Sequence, residues 1–95
     1  MKVTYSNRAL FEIEEIFLYI QKRSPGGARN AIDAIDEAIA QIGDYPLSAE
    51  RTSRQGIHVK VVRKYPYRIF YRVGADHVEI AHVRHAARRP WLSEG

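Results

Sequence analysis

No cysteine occurs anywhere in the 95 residues, so neither a disulfide framework nor a thiolate metal site is available. The four histidines, His58, His77, His82 and His85, could form a metal site only with carboxylates beside them, and none is expected. No apolar run approaches the ~18 residues of a membrane-spanning helix. The N-terminal MKVTYSNRAL has no long apolar core of the signal-peptide kind. A cytoplasmic chain with no membrane partner is the expectation. Repeats and low-complexity tracts are absent too, and no cofactor motif is found.

What remains fits a single domain spanning residues 1–95. Its 45% hydrophobic content suits a soluble globule with one modest core. The net charge of +4 conceals an asymmetry. Residues 1–50 carry five Lys and Arg against eight Asp and Glu, whereas residues 51–95 carry ten against three and all four His. Segregated charge creates a directed field, which favours a polyanionic partner on the basic side.

Val3–Tyr5 is short and β-prone. Ser6 can cap a helix of about Asn7–Lys22, in which Leu10, Ile13, Phe17 and Ile20 recur at helical spacing, with Ala9 and Ile16 widening the stripe. Glu12 and Glu15 fall outside it. Ser24-Pro25 restarts the chain as a second helix, with Ser at the cap and Pro at the first helical position. There Ala28, Ile32, Ile35, Ala38, Ile39 and Ile42 share one face, and Gly43 is a stop signal. Asn30, Asp33 and Glu37 point to solvent. Two such helices joined by about two residues form an antiparallel hairpin. Asp44 to Gln55 reads as a loop.

The remainder alternates as strands. Ile57, Val59 and Val61 interleave with His58 and Lys60, Tyr67–Val73 alternates cleanly, Gly74-Ala75-Asp76 turns, and His77–Val83 returns. Val78 and Ile80 share a face that Val83 does not, which predicts a bulge. The order β-α-α-β-β-β gives an α+β fold, a helical hairpin packed on one face of a mostly antiparallel sheet. Tyr67, Ile69, Tyr71 and Val73 then face the helices. Arg68, Phe70 and Arg72 lie on the open face.

Arg68, Arg84, His85, Arg88 and Arg89 form the chemical constellation. Guanidinium forks bind phosphate or carboxylate bidentately, and an imidazole can move protons near neutrality. Set against catalysis, no paired carboxylate accompanies them. Arginines together with Trp91 are common at protein-binding hot spots. His82 and His85, three apart on a strand, fall on opposite faces, which argues against a shared metal. Tyr65, Tyr67 and Tyr71 could stack on bases, although core tyrosines with rim hydroxyls are commoner.

The ordered set VTYSNRALFEIEEIFLYI, the Ser-Pro helix restart, VRKYPYRIFYRV and VEIAHVRHAARRPW resembles the RelE/ParE superfamily, the toxin halves of bacterial type II toxin–antitoxin modules. The KYPYRIFYR run and the His85-to-Pro90 tail look more like the ParE branch. That resemblance implies a toxin neutralised by a cognate ParD- or RelB-like antitoxin and aimed at DNA gyrase through its C-terminal part. Arg84, His85, Arg88, Arg89 and Trp91 become target-binding candidates by region. The alternative it implies is a ribosome-dependent, metal-independent mRNA endoribonuclease of the RelE type, with Arg68, Arg84 and His85 as catalytic candidates. Two departures stand against the nuclease. Val59 and Val61 replace the paired lysines typical there, and Ala86 and Ala87 stand where a catalytic Tyr or His is expected. The antitoxin-binding residues are not assigned by the resemblance.

Overall fold

The computed structural model describes residues 1–47, 50–51 and 56–86. Its elements run β1 (Lys2–Tyr5), α1 (Asn7–Gln21), α2 (Pro25–Asp44), β2 (Glu50–Arg51), β3 (Ile57–Val61), β4 (Tyr67–Val73) and β5 (His77–His85). The expected β-α-α-β-β-β order is present, with β2 added inside the predicted loop. Two residues carry no periodicity, so β2 leaves no signal in the sequence.

The sheet order is β1-β5-β4-β3-β2. β1 lies parallel to β5, and every other pairing is antiparallel. The chain therefore brings its first strand beside its last, and the helical hairpin carries it from β1 at one edge of the sheet to β2 at the other. Both helix starts are capped as expected. Ser6 Oγ accepts from the Ala9 amide at 3.0 Å, and Ser24 Oγ accepts from the Gly27 amide at 3.0 Å, each satisfying a donor the first turn leaves open. Gly43 does not end α2, which continues to Asp44. It is buried where a Cβ would stand 3.1 Å from Val3 Cγ2. The absent side chain lets β1 close on the helix, and the N-terminal ammonium donates to the Gly43 carbonyl at 2.8 Å.

Ile35, Ile39 and Ile42 of α2 pack with Ile69, Tyr71, Val78, Ile80 and Val83 of the sheet. The predicted bulge lies where Phe70 pairs with His82 but Tyr71 pairs with Ile80, leaving Ala81 extra. It brings Val78, Ile80 and Val83 all into the core. Two expectations are corrected. Leu10 is half exposed, and Glu12 takes the buried place beside Ala9. On β3 the helix-facing set is His58 and Lys60, followed by Val62, while Val61 is 62% exposed. His58 stacks on Tyr71 with 5.3 Å between ring centroids, so an aromatic partner, rather than apolar character, chose the inward face. Ile57 and Phe70 are nonetheless buried on the other side.

Candidate functional site: the cleft between α1 and the β4–β5 end

β1 accompanies β5 only as far as Ile80. Past that point the outer edge of β5 would present unpaired backbone groups, which cost free energy wherever water is excluded. The start of α1 takes over. The Ser6 amide donates to Ile80 O at 2.9 Å, Ser6 Oγ donates to Ala81 O at 2.9 Å, and Glu12 Oε1 accepts from the Val83 amide at 2.9 Å. The second oxygen of Glu12 lies 2.7 Å from Arg84 Nε and 3.5 Å from His82 Nδ1. A carboxylate on a helix thus completes the ladder of a strand and anchors an arginine in the same stroke.

Beside this contact opens a cleft of about 700 Å³. Its apolar lining comes from Phe11, Ile16, Leu18 and Tyr19 of α1 and from Tyr67 and Val83 of the sheet. Arg8, Lys22 and Arg84 supply positive charge, Glu12 and Glu15 negative, and His85 adds an imidazole. Phe11 and Leu18 are 51% and 49% exposed. They lie seven residues apart, two helical turns, and so share one face. Tyr19 carries the Arg23 guanidinium 4.6 Å above its ring. Large apolar groups exposed together in a cleft mark a binding surface rather than a packing defect.

The arginine constellation is only partly gathered. Arg68 and Arg84 are direct cross-strand partners and share the open face, as do Arg72 and Glu79, whose side chains approach to 3.7 Å. Arg68 and Arg72 are exposed. His85 pairs with Tyr67 instead, meeting its ring edge-on at 5.3 Å on the helix-facing side. Arg84 leans over the edge of β5 to Glu12, so it borders the cleft that His85 also lines. Arg68 and His85 therefore stand on opposite faces of the sheet. His82 and His85 likewise diverge, His82 opposite Phe70 and His85 opposite Tyr67. Arg88, Arg89 and Trp91 lie outside the described residues. Tyr67 and Tyr71 are core residues, and the Tyr71 hydroxyl donates to Pro46 O at 2.7 Å.

Sequence reasoning missed Glu12, Phe11, Leu18 and Tyr19. Glu12 had a signal. Ala9, Glu12, Ile13, Ile16 and Ile20 follow the i, i+3, i+4, i+7, i+11 pattern of a buried stripe, with the acid as its one polar member. The exposed apolar side chains had one too, because α1 holds more of them than one face can bury.

Comparison with known proteins bears on the family and the fold. Residues 3–90 match the family model of the ParE toxin of type II toxin–antitoxin systems, parDE. Y4kP, a toxin candidate of Sinorhizobium fredii, is 33% identical over 85 residues, covering 90% of this chain and 88% of its own. Among solved structures, one from the chromosomal ParDE system of P. aeruginosa superposes with a TM-score of 0.80 at 17% identity, over 90% of this chain and 95% of that one. The isolated E. coli RelE toxin superposes with a TM-score of 0.64 at 16% identity, over 98% and 92%. At such identities the superpositions speak for the fold, a helical hairpin on a sheet. With a family match that runs nearly end to end, the chain belongs to the ParE toxin family of type II toxin–antitoxin systems.

Proposed function

We propose that this toxin acts by binding DNA gyrase and is held inactive by a cognate antitoxin whose acidic, amphipathic segment covers the α1 cleft. The separation of Arg68 from His85 across the sheet carries the first part. Metal-independent RNA cleavage needs a base, an acid and cations around one phosphate, and here the imidazole faces away from the exposed arginine. A binding role asks only for shape, apolar anchors and charge, and the cleft offers all three. Its exposed Phe11 and Leu18 suit the apolar ridge of a helix. Arg8, Lys22 and Arg84 suit acids flanking that ridge.

One observation favours the second reading, a ribosome-dependent mRNA endoribonuclease. Arg68 and Arg84 are immediate neighbours on the open face and could grip a phosphate together. Both targets lie in the cytoplasm. The readings separate in parallel assays with purified chain. Gyrase inhibition predicts loss of DNA supercoiling or accumulation of cleaved DNA–gyrase complexes, with translated message intact. Normal supercoiling at saturating toxin, together with message cuts that Arg68→Ala abolishes, would transfer the conclusion to the nuclease.

A further inference from the structure

The Glu12 carboxylate has one oxygen committed to a backbone amide of β5 and the other placed 2.7 Å from Arg84 Nε. Glu12 is 9% exposed, and the Arg84 side chain is 23% exposed at the cleft wall. A free arginine side chain samples many rotamers, and ordering it on binding opposes affinity. Here the ordering is built into the fold, because the carboxylate that holds the guanidinium is itself fixed by the ladder of the sheet.

We propose that Glu12 is a positioning residue: it holds Arg84 oriented at the cleft, ready for a carboxylate of the antitoxin segment. This rests on the reading of the chain as a protein-binding toxin. A carboxylate suits the site better than a nucleic-acid backbone does. Glu15 stands on the same wall, and a run of phosphates would meet it and Glu12 together. A single acid carried on an apolar helix or loop meets Arg84 while its neighbours rest on Phe11 and Leu18.

The test uses Glu12→Gln, which keeps a side-chain oxygen for the Val83 amide and so preserves the fold, as a thermal melt verifies. Arg84→Lys keeps the charge but has no Nε to be held, and serves as the second variant. ¹⁵N relaxation of the Arg84 side chain reads the tether directly. It should be ordered in the native chain and averaged in Glu12→Gln. Affinity for the antitoxin, read by calorimetry, should fall about tenfold or more in Glu12→Gln, in Arg84→Lys and in Arg84→Gln, the scale of one lost hydrogen bond to a charged group. Adding Glu12→Gln to Arg84→Gln should cost nothing further.

A Glu12→Gln loss that persists undiminished in the Arg84→Gln background overturns the proposal. So does an Arg84 side chain equally ordered in native and variant chains. Tighter binding of single-stranded RNA by Glu12→Gln would also defeat it, by showing that Glu12 serves to repel phosphate. Native chain that leaves gyrase untouched removes the gyrase reading alone, because the double-variant comparison is read on antitoxin affinity. Antitoxin affinity unchanged in Arg84→Gln overturns the proposal as well.

Discussion

Arg84 Nε on β5 stands 2.7 Å from Glu12 Oε2 on α1, and the other oxygen of the same carboxylate receives the Val83 amide of β5. Helix and sheet are thus joined by a polar contact at the place where their apolar packing gives way to the cleft. Ala9 and Glu12 are the buried residues of this helix, with Ile13, Ile16 and Ile20 packed partly buried against the core, so Glu12 adds a polar anchor to a modest apolar one.

Glu12→Ala should therefore destabilise the fold by about 1–3 kcal/mol, the cost of stranding a buried donor. Urea denaturation measures it, and the loss should exceed that of Glu15→Ala on the same helix, whose side chain is exposed. Equal midpoints for the two variants would show that Glu12 contributes nothing structural.

The fold was legible wherever one side chain pattern had one physical cause. The Ser6 and Ser24 caps, the α2 stripe and the clean alternation of β4 each follow from local chemistry. The bulge at Ala81 was readable because Val83 broke the parity of β5. Failures came where a partner distant in sequence decided the outcome. His58 faces inward because the β3–β4 register sets it beside Tyr71, and Glu12 is buried because the edge of β5 lacks a strand past Ile80. Of the site, Arg68, Arg84 and His85 could be named from sequence. Their division between two faces could not, because it depends on the β4–β5 register beyond the bulge, which pairs Arg84 with Arg68 and His85 with Tyr67.

Lys64, in the turn between β3 and β4, has φ of +69° and is exposed. A left-handed backbone costs a residue with a Cβ roughly 1–2 kcal/mol, while glycine adds about 0.5–1 kcal/mol of unfolded-state entropy. Lys64→Gly should consequently raise stability by about 0.5 kcal/mol or slightly more, with Lys64→Asn in between. A fall in the thermal midpoint for Lys64→Gly would mean that the lysine side chain makes a stabilising contact.

Asp36 on α2 has its carboxyl pushed above the usual aspartate range, first by burial and then by the neighbouring Asp33. The neutral form is the one the fold favours. Its contribution is complete below the ordinary value of 3.8 and is lost as pH rises through the raised value in the folded chain. Asp36→Asn should accordingly be more stable than the native chain at pH 7, with the gain vanishing below about pH 3.8. Thermal melts across that range check the sign. A gain that grows on acidification would contradict the assignment.

Phe11 and Leu18 offer the means to separate docking from folding. Both are about half exposed on the cleft side of α1, so truncation removes little area that folding itself buries. Phe11→Ala and Leu18→Ala should each change stability by less than about 1 kcal/mol. Ile42→Ala, in the core at 1% exposure, should cost about 2–5 kcal/mol. Binding should reverse that order. If the antitoxin segment lies in the cleft, its apolar ridge rests on these two side chains, and removing an anchor from a desolvated centre costs about 2 kcal/mol, roughly thirtyfold in affinity. Calorimetry on the purified pair gives the affinity. Unchanged affinity of the doubly substituted Phe11→Ala, Leu18→Ala chain would place the antitoxin elsewhere, leaving the open face with Arg68 and Arg72 as the surface to substitute next.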